Sequence, residues 1–162
     1  KFEFNDDLKA DVLNVLPNMR AGEIAVKTGL ATANKRWCEV DFLTHESVAA
    51  KHIHVLGDAI QVAPLMPKSG HMANQHGKVC AAAVVALLTD KKPNDGPIYN
   101  NTCYSFVSDE DVIHVASVHR YDAEKKTMLT VPGSGGISSA ANELEGRIAM
   151  GWARNIWADT LG

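Results

Sequence analysis

Hydrophobic and polar positions alternate in short stretches over the first half of the chain and settle into longer periods over the second. Ala10-Asp-Val-Leu-Asn-Val-Leu16 is apolar and partly alternating, and it stops at Pro17, which predicts a strand. Ala21 to Leu30 predicts one short helix closed by Gly29. Trp37-Cys-Glu-Val-Asp41 alternates as a strand does, and His52-Ile-His-Val-Leu56 is a short apolar strand running into Gly57-Asp58. Prolines and glycine make Ala63 to Gly70 a loop, and His71 to Leu88 carries a strong helical pattern with an alanine-rich face. Asp90-Lys-Lys-Pro-Asn-Asp-Gly-Pro97 reads as a linker or surface turn. Three strands follow, Tyr104–Val107, Val112–Tyr121 and Thr127–Val131, whose short turns predict an antiparallel meander. After the loop Pro132-Gly-Ser-Gly-Gly136, a last helix is expected from about Ala140 to Asp159. The order implies an α+β fold: a strand-rich first half, one long helix, then a small antiparallel sheet capped by a helix.

Composition narrows the classes of function. With 46% hydrophobic and 22% charged residues, the 162-residue chain can bury a core, which excludes a disordered segment. A formal charge of -3 and the lack of a basic stripe give no reason to expect nucleic acid. The longest apolar run, Val79 to Leu88, is too short to span a bilayer, and Lys1-Phe2-Glu3-Phe4 lacks the basic-then-apolar order of a signal peptide.

Candidate chemistry is sparse. The three cysteines are spaced too far apart for a zinc knuckle. Cys80 and Cys38 sit among apolar residues and are expected to be buried, whereas Cys103, in Asn100-Asn-Thr-Cys-Tyr-Ser105, has polar neighbours. A disulfide among the three and a partner for Cys103 outside the chain are both allowed. His52 and His54 would share one face of a strand, but no third ligand follows at a sensible spacing, so no metal site is expected. His71 and His76, five apart, do not stack on one helical face. The glycine-rich 132–136 loop lacks the strand and helix that a phosphate cradle needs, and no Ser–His–Asp arrangement stands out.

The most informative segment is Ile53-His-Val-Leu-Gly-Asp58. A strand ending in Gly-Asp ahead of a helix N-terminus suits a sugar-alcohol ligand, because glycine admits close approach and aspartate accepts a hydroxyl hydrogen bond. The same dipeptide equally suits a tight turn with Asp58 as a cap.

Context separates these readings. Thr44-x-Glu-Ser47, Gly57-Asp58, Met66-Pro-Lys-Ser-Gly70 before an alanine-rich helix, and Asn100-Asn-Thr-Cys-Tyr-Ser105 follow in order. Pro17-x-x-Arg-Ala-Gly22, Trp37-Cys-x-Val-Asp41, Val131-Pro-Gly-Ser-Gly-Gly136 and Trp152-x-x-Asn-Ile156 accompany them. From about Ala10 to Gly162 the chain resembles the flavoprotein subunit of flavocytochrome c sulfide dehydrogenases, in its C-terminal part.

The resemblance implies the C-terminal part of a two-dinucleotide-binding, disulfide-reductase-like flavoprotein. Residues 1–95 would be a remnant of the FAD-binding region and 96–162 the C-terminal flavin-binding and interface domain. Gly57 and Asp58 would hold the ribityl chain of FAD, with Lys68, Ser69 and Gly70 beside the flavin at the start of the long helix. Cys103 would be one half of a redox-active disulfide where sulfide is oxidised, its partner lying outside these residues. Trp152 would stand close to the flavin, between it and a c-type cytochrome partner; as plain helix residues, Trp152 and Trp157 serve equally as core anchors. The implied compartment is the periplasm. No glycine-rich pyrophosphate turn occurs in 1–162, so the chain alone is expected to be inactive, to lack or bind poorly its FAD, and to self-associate through uncovered apolar surface. The alternatives are a sulfide:quinone or other pyridine-nucleotide–disulfide-type oxidoreductase, or a non-catalytic interaction module.

Overall fold

The computed structural model describes residues 9–162; the Lys1–Phe4 segment lies outside them. Helix α2, Gly70–Leu88, is the central element. Ser69 starts it: the side-chain oxygen accepts the Met72 N–H at 3.1 Å, satisfying one of the N–H groups that the first turn leaves without an intrahelical acceptor. Its buried face carries Met72, His76, Cys80 and Ala83.

The sheet is a meander built around β2, Val112–Asp122. Strand β1, Ile98–Phe106, pairs with it antiparallel from Ile98↔Arg120 to Phe106↔Val112. On the other side β3, Thr127–Thr130, pairs from His119↔Thr130, and the two-residue β4, Gly136–Ile137, pairs at Val115↔Ile137. The expected meander is therefore present, with β1 beginning six residues earlier than the apolar pattern of Tyr104–Val107 indicates. The polar residues Asn100, Asn101 and Thr102 hide that extension. Side chains of α2 bond the outer edge of β1: His71 Nδ1 accepts the Thr102 N–H at 3.1 Å, Gln75 Oε1 accepts the Asn100 N–H at 3.0 Å, and Gln75 Nε2 donates to the Asn100 carbonyl.

Helix α3, Glu143–Leu161, closes the chain. Asn142 caps it by accepting the Glu145 N–H at 2.9 Å, which sets the start three residues after the expected Ala140. Gly146 lets the helix approach the β1–β2 turn, because a Cβ there would stand 2.0 Å from the Glu110 carbonyl oxygen. At its far end Asp159 meets α2 through Lys78 at 2.8 Å and Asn74 at 2.9 Å.

The first half departs from expectation. Ala10–Leu16 is irregular and exposed, not a strand. Helix α1 is only Glu23–Lys27, turned off at Gly29 with φ +77°. The alternating runs Trp37–Asp41 and His52–Leu56 form isolated bridges, Cys38↔Ile60, Val40↔Ser47 and Glu46↔His54, and no continuous ladder. Alternation builds a strand only where a partner runs alongside, and here the backbone turns at His45 (φ 58°) and His52 (φ 63°) before one can. The turn at His52 also removes the shared strand face expected for His52 and His54.

One cluster of Phe42, Ile60, Met66, Met72, Tyr99 and Met128 joins the irregular first half, α2 and the sheet. All three cysteines are free; Cys38 and Cys80 are buried, as their apolar surroundings predict, and Cys103 is half-buried.

Candidate functional site

A cavity of about 600 Å³ opens between the N-terminus of α2, the strand β1 and the inner face of α3. Ser69, Gly70, Cys103 and Trp152 all line it, with Tyr104 and Trp157. Gly70 and His71 supply first-turn N–H groups with no intrahelical acceptor, so the wall they form is electropositive without any cationic side chain. Opposite stand aromatic rings: Trp152 packs edge-on to His71 at 5.3 Å and tilted against Tyr104 at 5.6 Å. Burial, then the repulsion of Lys78, keeps the His71 imidazole below its ordinary range, and its Nδ1 is already engaged with Thr102.

Cys103 reaches this cavity through a polar thread that the sequence pattern did not single out. Ser69 Oγ donates to Asn101 Oδ1 at 2.6 Å, and Asn101 Nδ2 donates to Cys103 Sγ at 3.4 Å. Asn101 is buried and two residues from Cys103 on β1, so the two side chains share a face. The helix cap and the thiol are thus joined through one amide, whose nitrogen and oxygen both lie within reach of the sulfur.

Asp58 and Lys68 do not line that cavity. They line a neighbouring one of about 400 Å³ with Trp37 and the Pro17–Gly22 segment. Gly57 opens a 3-10 turn, Gly57–Ala59, with φ +69°. The Lys68 ammonium donates to the backbone carbonyls of Asp58 (2.7 Å) and Ile60 (2.6 Å) and sits 3.7 Å above the Trp37 ring. Burial lowers its pKa, offset in part by Asp58. Lys68 and Ser69 are adjacent in the chain, so consecutive residues contribute to both cavities.

Residues 95–161 match the family model for the flavin-binding domain of flavocytochrome c sulphide dehydrogenase. This segment is similar to that family over its matched length. It contains the whole sheet and α3, hence Cys103, Tyr104 and Trp152. A flavin-binding domain supports a flavoprotein redox role, and the cavity fits such a group. It is large enough for a fused-ring ligand, is walled by aromatic and apolar side chains, and offers a few converging N–H donors.

Residues 95–161 also hold a triad of residue types that no spacing along the chain announces. Ser138 Oγ, His114 Nδ1 and Glu145 Oε2 lie 2.6–2.9 Å from one another. Both oxygens meet the same imidazole nitrogen, and Ser138 donates to the carboxylate instead of to a base, so this is not the order of a nucleophilic triad. It anchors the first turn of α3 to β2. The Ser138 and His114 hydrogen bonds lower the Glu145 pKa.

Proposed function

We propose that the cavity at the start of α2 takes the isoalloxazine of FAD, and that Cys103 faces it as one sulfur of a redox-active disulfide in a sulfide dehydrogenase. The observation that carries this reading is the convergence of Ser69, Gly70, Cys103 and Trp152 on one cavity, two of them within the segment that matches a flavin-binding family model. The ribityl chain would leave toward the neighbouring cavity, where Asp58 receives it beside the turn that Gly57 opens, with Lys68 fixing that turn through the Asp58 carbonyl.

Sulfide is a nucleophile, and its attack on one sulfur of the disulfide forms a persulfide while the other sulfur leaves as a thiolate. Asn101 would orient and stabilise the thiolate at Cys103. The first N–H groups of α2 would favour negative charge on the ring edge above them. Flavin, when bound, supplies an acceptor for the electron pair and releases electrons singly to a c-type cytochrome. Trp152 would cover the thiol side of the ring, and it lies on α3, which carries exposed apolar side chains that a protein partner could meet. The periplasm suits a chemistry that needs a persistent disulfide.

Replacing Cys103 by Ser in the complete flavoprotein should lower sulfide-dependent cytochrome reduction by about 100-fold or more, with the flavin retained. Turnover equal to that of the unaltered protein would reject the assignment.

A second reading, self-association, is favoured by the apolar side chains left open on α3. Leu144 (57%), Trp157 (60%) and Leu161 (82%) are exposed.

A further inference from the structure

Behind the Gly57–Asp58 turn lie two imidazoles without access to water. His45 and His76 are fully buried beside Tyr99. Their ring centroids are 4.7 Å apart, and Tyr99 meets His76 edge-on at 5.1 Å. Each ring has one nitrogen engaged and one, His45 Nδ1 and His76 Nε2, without a partner. Two such atoms on adjacent rings require a physical account, since buried polar groups are nearly always hydrogen-bonded.

The engaged nitrogens fix where the protons are. A backbone N–H can only donate, so the 3.2 Å contact from Gly57 makes His76 Nδ1 the acceptor, and a neutral ring then carries its proton on Nε2. The Tyr99 hydroxyl has one proton, donated to the Phe42 carbonyl at 3.2 Å. Its oxygen therefore accepts from His45 Nε2–H at 3.0 Å, which leaves His45 Nδ1 bare. The two unpartnered atoms are thus a donor and an acceptor, on rings whose centroids stand 4.7 Å apart.

We propose that His76, His45 and Tyr99 form a single directional hydrogen-bond chain that holds the Gly57–Asp58 turn. It runs from Gly57 N–H to His76 Nδ1, from His76 Nε2–H to His45 Nδ1 directly or through one bound water, from His45 Nε2–H to the Tyr99 oxygen, and from Tyr99 to the Phe42 carbonyl. The Val55 backbone also lies beside His45, and a proton on His45 Nδ1 directed at it is the competing arrangement. One assignment of protons satisfies every polar atom of the cluster. The three side chains act through Gly57 and are positioning residues. That the turn serves a flavin rests on the function proposed above, whereas the order of protons does not.

Long-range nitrogen-15 NMR of the imidazoles at pH 7 tests the chain without any ligand, so loss of the flavin reading would leave the result intact. Both His45 and His76 should carry their proton on Nε2. A proton on Nδ1 of either ring, as when His45 donates to the Val55 carbonyl, overturns the proposal. Tyr99→Phe then removes a hydroxyl that makes no hydrogen bond to Gly57. Amide exchange at Gly57 should become at least threefold faster, with exchange in the middle of α2 unchanged. An unaltered Gly57 rate in this variant also overturns it, and if the variant fails to fold the tautomer measurement decides alone.

Discussion

Gly146 is where a single atom would do most harm. A methyl group at this position points at the Glu110 carbonyl oxygen at 2.0 Å, a backbone neighbour that cannot swing away. Gly146→Ala should therefore destabilise the protein by about 3 kcal/mol despite alanine's better helix propensity, measured by urea denaturation. Gly57 is constrained differently: its φ of +69° disfavours any Cβ, and Ala73 lies 3.4 Å from where one would stand. Cys103 and Trp152 were legible as candidates because their surrounding residues resemble a family pattern. Asn101, which joins Ser69 to Cys103, was not, since a polar residue inside a strand carries no signal of its partner until the strand has a face. The resemblance implies Lys68 as a cation beside the flavin; that two backbone carbonyls and the Trp37 ring hold its ammonium is a matter of folded contacts that no sequence pattern announces.

Among the elements, α2 and α3 were readable from periodicity and the meander from its turns, because each satisfies most of its backbone hydrogen bonds locally. The irregular first half was not, because its single bridges depend on contacts between distant residues such as Cys38 and Ile60. The two helix caps make a comparison possible. The Asn142 side chain bonds only its own neighbourhood, Ala140 and Glu145, whereas Ser69 caps α2 and also donates to Asn101 on β1. Ser69→Ala and Asn142→Ala should each cost about 1 kcal/mol of stability. Only the first should change the reactivity of Cys103, seen as an altered rate of thiol labelling at fixed pH.

For the molecule as a whole, the buried histidines set the response to acid. Burial lowers His45 to about 4 and His76 to about 3, with the Val55 backbone and then Asp41 opposing and His54 assisting at His45, and with His45 and Lys68 assisting at His76. An unfolded chain binds protons at these rings from about pH 6.5 downward, while the folded one does not. Stability is therefore full above about pH 7 and falls as pH drops toward 4, by up to about 1.4 kcal/mol per pH unit for each ring. The lowered pKa values of Glu145 and Asp159 act in the same direction at lower pH. Denaturation midpoints across pH 7.5 to 4.5 would check this, and a flat profile would contradict it. The apolar residues exposed along α3 should make sedimentation depend on concentration, and Trp157→Lys should reduce that dependence.

The side chains that α2 lays along β1 have a further consequence for recognition. With Asn100 and Thr102 already bonded to Gln75 and His71, the middle of that margin is closed to an incoming extended peptide. A partner that docks on this region must therefore read side chains and shape, and its specificity will lie in what it presents to the helices.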